Sequence, residues 1–473
     1  MKRLPQKTKF FYAIGNLGYG TIAQTVNNFV MFFGTSVLGI SGTLVGLAVA
    51  LSTFWDGISD PIVGYLSDHT KSKTFGKRLG YMTIATLGLA VFNVLLWIIP
   101  VNISMFAKFI WMLISLLCIE TFATFFATPY TALGIDLAPD YNEQSSLQGF
   151  KTVFFIVGMI MPSLLMMIFM PSTNEITQSQ FLQGGYIKIS YITTILCLIC
   201  GTACILGTFK NAHKVETKII VTKEKNVFFK IFVNFFQTLK NDNFGPIIIG
   251  YSISLISSAF LTSVGLHLFT YSFHFSGTQI SFLMSSLFIG AIISQAFWIY
   301  LSKRTSKNNA LSKSFVITLI GIALTATLFI FRDLLSNTVL FWAVLPCIFL
   351  CGFGTGALYS IPISMFADCI TLDKLKTGEN HSATYSGFMT LAFNIANSIA
   401  LLVIGVLLDI IKFNSAEPVQ PQKVQNWLGV IVFVGCALSI ALAKFVFSKY
   451  KLTRSELLKE QLCAERKQEK INP

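Results

Sequence analysis

Along this chain, long apolar runs alternate with short polar breaks twelve times. The runs lie at roughly 10–38, 43–67, 79–100, 106–136, 146–170, 184–209, 245–271, 279–302, 311–331, 338–367, 382–411 and 424–450. Each has about 20 residues or more, enough for a helix to cross a ~30 Å hydrocarbon core. The ~10-residue alternation of outer-membrane strands is absent. The pattern predicts an all-α protein with twelve transmembrane helices. The longest connection, 210–243, separates six runs from six. The expected organisation is a six-helix bundle over 1–209, a central loop over 210–243, a second bundle over 244–450 and a tail over 451–473.

Composition agrees. The 473 residues are 53% hydrophobic and only 12% charged, more apolar surface than a water-soluble chain could hide. The net charge of +14 raises the question of nucleic acid. Its placement answers otherwise. Lys2, Arg3, Lys7 and Lys9 precede the first run, and Lys71, Lys73, Lys77 and Arg78 follow the second. Lys303, Arg304, Lys307 and Lys313 follow the eighth, and seven lysines lie in the central loop. Basic residues in alternate loops mark the cytoplasmic side, so both termini are expected there, in a plasma or inner membrane. No nucleic-acid partner is expected. In the central loop, Phe228, Ile231, Phe232, Phe235, Phe236 and Leu239 recur at helical spacing. They predict an amphipathic helix on the membrane surface.

No catalytic constellation emerges. There is no phosphate-cradling glycine loop, zinc-ligand spacing or nucleophile elbow. The nine cysteines lie mostly in apolar runs and read as small packing residues. The expectation is a non-enzyme with no cofactor and no metal centre.

The chemistry concentrates in Trp55–Arg78, WDGISDPIVGYLSDHTKSKTFGKR. Asp56 and Asp60 are four apart, hence on one helical face about 6 Å from each other. Two acids in a membrane segment repel unless a cation or proton offsets them, which suggests ion handling; a structural hydrogen bond to a neighbouring helix is the other reading. Gly64, Asp68, Lys77 and Arg78 follow as a candidate gating latch. In the fourth run, Glu120, Thr124, Ala127 or Thr128, and Thr131 share a face and form a polar stripe. Lys151 is the basic residue within the fifth run and could pair with an acid or bind an anionic or hydroxyl-rich solute. His267 and His274, seven apart, could line a cavity. The fourth and tenth runs also match weakly: Pro129 precedes Asp136, and Pro362 precedes Asp368, as in parallel transporter repeats.

Trp55–Arg78 resembles the signature of the glycoside-pentoside-hexuronide:cation symporters, the melibiose permease-like family of the major facilitator superfamily. The blocks PYTALGIDLAPDYNEQSSLQGFK, from Pro129 to Lys151, and LYSIPISMFADCITLDKLKTGENHSATYSGFMTLAFNIANS resemble it too. The sodium-dependent lysophospholipid carriers share the pattern. The resemblance implies the major facilitator fold, two six-helix bundles around a central cavity that work by alternating access. It implies that Asp56 and Asp60 bind the coupling ion, Na⁺ or H⁺. The family's substrate-contacting arginine of the fifth span falls at Lys151, which keeps the charge but lacks the bidentate fork. Other positions depart from the family's sugar carriers. Gly20 stands where they have a further acid. Ala127 and Thr131 fall near their sugar-binding aspartate and tryptophan. Asn394, with Thr390 one turn earlier, falls at their lysine. Glu120 is a candidate replacement for the lost acid. The expected function is cation-coupled import of a small solute, a sugar, glycoside or sugar acid, by a monomer. A lysophospholipid carrier is the alternative, and a non-transporting membrane sensor a remote one.

Overall fold

The structure, a computed structural model, describes residues 4–70, 78–138, 141–170, 179–212, 243–377, 382–414, 417, 419–452 and 459. Among these residues there are thirteen α-helices. The first six are α1 (Gln6–Phe32), α2 (Gly42–His69), α3 (Leu79–Trp97), α4 (Met105–Leu137), α5 (Tyr141–Phe169) and α6 (Gln183–Ala212). Then come α7 (Phe244–His267), α8 (Gly277–Arg304), α9 (Lys307–Ile330), α10 (Asn337–Thr355), α11 (Ile361–Thr377), α12 (Ser382–Ile410) and α13 (Gln422–Phe447). Among the described residues, eleven segments are long and apolar enough to cross a membrane, α10 and α11 counting as one. The remaining run, α1, is long enough, but Gln24, Asn27 and Asn28 interrupt its apolar stretch. All twelve expected runs are therefore helical. The expected surface helix at 228–239 and the basic loop carrying Lys71, Lys73 and Lys77 lie outside the described residues.

Local chemistry sets several helix starts. The hydroxyls of Ser41, Ser104 and Ser306 accept from the amides of Leu44, Ala107 and Asn309. At α8, Ser276 accepts from the Gln279 amide while the Gln279 side chain accepts from the Ser276 amide, a reciprocal capping box.

Two departures from simple periodicity matter. The tenth run is broken: α10 passes through a 3₁₀ turn at Gly356–Tyr359 before α11 begins. Pro362, with no amide to donate, sits in the first turn of α11, where none is needed. Pro129, its counterpart in the weak repeat, lies inside an unbroken α4. Second, α1 and α7 both end in a π turn, Phe33–Val37 and Leu268–Ser272. Each is followed by a residue with positive φ, Gly39 at 69° and His274 at 56°. The wider turn and the left-handed residue take His274 off the helix. His267 and His274 thus share no face: His267 is buried within 2.7 Å of the Thr35 hydroxyl, and His274 is exposed.

The described chain forms two compact units. The first comprises residues 1–220, 260–285 and 398–432. Within it α1 packs along α5 and α6, α4 packs on α2 and α3, and α3 packs on α6. Tyr12 of α1 and Tyr130 of α4 stack at 4.4 Å, and each hydroxyl donates to the other's carbonyl, at 3.1 and 3.0 Å. A Cβ on Gly134 would fall on the Tyr12 hydroxyl, so glycine makes that approach possible. Lys9 bonds Glu143 at 2.7 Å and ties the start of α1 to α5.

The second unit comprises 221–259, 286–397 and 433–473. Phe244, Trp298, Phe315 and Phe447 form part of its core, and the Trp298 indole donates to the Phe353 carbonyl at 2.7 Å. The repeat shows in ion pairs. Arg78, ahead of α3, bonds Asp136 at the end of α4, at 2.7 Å. In the second unit Lys307, at the start of α9, bonds Asp368 of α11 at 2.5 Å.

Candidate cation and substrate site

The site rests on α2 against α4. Asp56 and Asp60 are both half-buried on one face of α2. The Thr124 hydroxyl donates to Asp56 Oδ1 at 2.9 Å, and the Thr128 hydroxyl donates to Asp60 Oδ1 at 3.2 Å. Both pairs have a sequence offset of 68. A constant offset means that the helices run parallel here and present two matched carboxylate–hydroxyl rungs one turn apart. Ser59, between the acids, stands 3.0 Å from the Thr124 hydroxyl and donates to the Asp56 carbonyl at 3.1 Å. The Trp55 indole donates to Thr121 at 2.9 Å. The apolar runs make α2 and α4 into membrane helices; the threonines at 121, 124 and 128 then place hydroxyls along one face of α4.

Glu120 lies one turn before Thr124 and interacts electrostatically with both Asp56 and Asp60. Tyr19 of α1 lies close enough to feel the charge of all three acids. Three carboxyl groups gathered in an apolar setting repel one another, and a cation or a proton relieves that repulsion. Among the described residues, no three His, Cys, Asp or Glu side chains are grouped to hold a metal ion. A cation at Asp56 and Asp60 would instead meet two carboxylates and nearby hydroxyls, an oxygen-only set suited to a hard ion.

Lys151 reaches from α5 to α4. Its ammonium donates to the Thr131 hydroxyl at 3.3 Å and lies 5.0 Å from the centre of the Tyr130 ring. The stacked tyrosines thus set the height of the cation beside the polar stripe, on which Ala127 sits half-buried between Thr124 and Thr131.

These helices carry a family's signature. A family model described as MFS/sugar transport protein matches residues 11–454. The chain belongs to this family. An uncharacterized symporter of Synechocystis sp. is 25% identical, over 90% of this chain and 89% of its own. The sodium-dependent lysophosphatidylcholine symporter 1-B of Danio rerio is 20% identical, over 96% and 88%. A crystal structure of a D-xylose-proton symporter shares the fold, with a TM-score of 0.66 at 12% identity over 94% of this chain and 98% of that one. The protein is therefore a multi-pass membrane transporter of the major facilitator superfamily.

In this major facilitator, one compact unit brings together Asp56, Asp60, Glu120, Thr124, Ala127, Thr131 and Lys151. Thr390 and Asn394 lie on α12 in the second unit, Asn394 buried and Thr390 exposed. Of the gating candidates, Arg78 is held by Asp136. Asp68 is in the last turn of α2, and its side chain, like all of Lys77, lies outside the described residues. At Gly64, among the described residues, a Cβ would meet the Thr128 methyl at an ordinary 3.5 Å. Sequence reading missed Ser59 and Tyr19. Ser59 was legible as a hydroxyl between two acids. Tyr19 carried no local signal, since its nearness to the acids depends on where α1 lies.

Proposed function

We propose that this transporter is a cation-coupled symporter that imports a small solute by alternating access, with Asp56 and Asp60 holding the coupling Na⁺ or H⁺. The observation that carries the reading is the pair of matched rungs, Asp56–Thr124 and Asp60–Thr128. They fix two acids one turn apart against hydroxyl donors of α4, an oxygen-rich array suited to a hard cation. Ion binding relieves the repulsion among Asp56, Asp60 and Glu120 and favours one arrangement of α2 and α4. Ion and solute bound to that arrangement raise each other's affinity by the same factor.

The proposed solute is a sugar, glycoside or sugar acid, bound near Glu120, Thr124, Ala127, Thr131 and Lys151 of the first unit. The family description, sugar transport, supports it. A second reading, a lysophospholipid carrier, has its own support: the resemblance to the lysophosphatidylcholine symporter runs over 96% of this chain. Lys151 would serve either an acid sugar or a phosphate. The proposed orientation puts both termini and the Gly64–Arg78 gating segment on the cytoplasmic side of the plasma membrane, in a monomer.

Uptake into proteoliposomes decides between the readings, with a panel of neutral glycosides, sugar acids and lysolipids under a Na⁺ or a proton gradient. Asp60→Asn is expected to abolish cation-stimulated uptake. Full coupled uptake by that variant would end the coupling proposal.

A further inference from the structure

The start of α2 is capped from a distant part of the chain. The amides of Gly42 and Thr43 donate to the two carboxylate oxygens of Asp409, at 2.7 and 2.8 Å. Asp409 lies in the last turn of α12. With Ser41 accepting from Leu44, three successive amides of the first turn of α2 have acceptors. Behind this cap the two helices meet backbone to backbone. A Cβ on Gly42 would stand 2.5 Å from the Gly405 carbonyl. One on Gly46 would stand 2.8 Å from the Leu401 carbonyl and 3.0 Å from Gly405 Cα. Gly42, Gly46 and Gly405 form a seam with a carboxylate at its end. At the same end of α1, Thr35 meets His267 of α7 across 2.7 Å.

The other half of the chain closes a similar contact, and its cap is of another kind. After its π turn, α8 starts Gly277-Thr278 as α2 starts Gly42-Thr43. A Cβ on Gly277 would stand 2.6 Å from the Met170 carbonyl, just past α5. There the cap is local, from Ser276 and Gln279. Among the described residues, tight packing at this position goes with a cap from neighbours in sequence. At α2 a charge has been added, and it comes from the opposite half of the sequence.

We propose that Asp409 is a gating residue: its carboxylate latches the start of α2 to α12 while this end of the transporter is closed, and releases it when the end opens. In the proposed orientation this is the outer end, and the inference rests on the alternating-access reading. A carboxylate at a helix N-terminus gains from two charge-assisted bonds and from the helix dipole. On opening, carboxylate and amides both pass to water, so the contact is strong enough to bias the gate and weak enough to reverse.

The test uses the full chain in lipid nanodiscs, with spin labels on Val101 and Val419, both exposed, in the loops that follow α3 and α12. Pulsed electron-electron spin resonance reads the distance distribution with and without Na⁺ and with a proton gradient replaced by pH steps. Wild type should populate mainly the short distance. Asp409→Ala should raise the ratio of long to short distance roughly tenfold, the usual scale of a lost helix cap. Asp409→Asn should lie between, and Asp409→Glu should return towards wild type. If Asp409→Ala does not yield monodisperse protein, Asp409→Asn is read alone. Distributions for the Ala or Asn variant equal to wild type, in a protein whose two distances still exchange with conditions, would overturn the latch and leave alternating access intact. A single unchanging distance in wild type under every condition would overturn both.

Discussion

The Thr124 hydroxyl stands 2.9 Å from Asp56 Oδ1, and one turn on Thr128 repeats the bond to Asp60. Thr124 matches valine in shape, so Thr124→Val removes the hydroxyl that meets Asp56 and Ser59 and keeps the packing. A bond to a charged acceptor contributes about 1.5–3 kcal/mol. The cation concentration for half-maximal uptake should change by about tenfold or more. An unchanged cation dependence would remove Thr124 from the ion site.

Glu120 shares its electrostatic environment with both aspartates. Glu120→Gln keeps the shape and removes one of three acids. If Glu120 replaces the acid that the family's sugar carriers place near Ala127, the variant should lose solute affinity and shift its cation dependence together. Uptake kinetics across a cation series check this. Wild-type values for both would show that Glu120 is a structural residue.

Lys151 rests against the Tyr130 ring and Thr131. Lys151→Met keeps most of the length of the side chain and removes the charge. Uptake of sugar acids or lysophospholipids should weaken by roughly tenfold, the scale of one charge-assisted bond. Competition by neutral glycosides should change much less. Equal losses for neutral and anionic competitors would mean that the ammonium supports the helix and does not read the solute.

Two glycine substitutions should differ sharply. Gly405→Ala would drive a methyl group into the Gly42 carbonyl, a backbone atom that cannot rotate away. Overpacking of this kind costs about 1–3 kcal/mol. Gly64→Ala would place its methyl 3.5 Å from Thr128, within normal contact. Thermal melting followed by size-exclusion chromatography should show a clear drop for Gly405→Ala and little change for Gly64→Ala.

The span pattern was legible because it is local. Expected runs such as 43–67 and 106–136 are realised as Gly42–His69 and Met105–Leu137, since apolar length alone decides what can cross a bilayer. The shared face of Asp56 and Asp60 was legible for the same reason, as helical spacing needs no neighbour. The histidine expectation failed where that assumption failed. One π turn and one left-handed residue after His267 send His274 elsewhere, and neither departure has a clear local signature.

By itself, then, the sequence determined twelve apolar helical runs, the acid pair of α2 and the family to which they point, because periodicity and length are written residue by residue. The tertiary structure alone decided which hydroxyls face the acids, that Arg78 meets Asp136, and that Lys151 rests on Tyr130. It alone carried Asp409 to the start of α2, across 366 residues of chain. Such pairings follow from which helix packs on which, and at what height. That is settled by close packing of the whole bundle, and no single segment contains it.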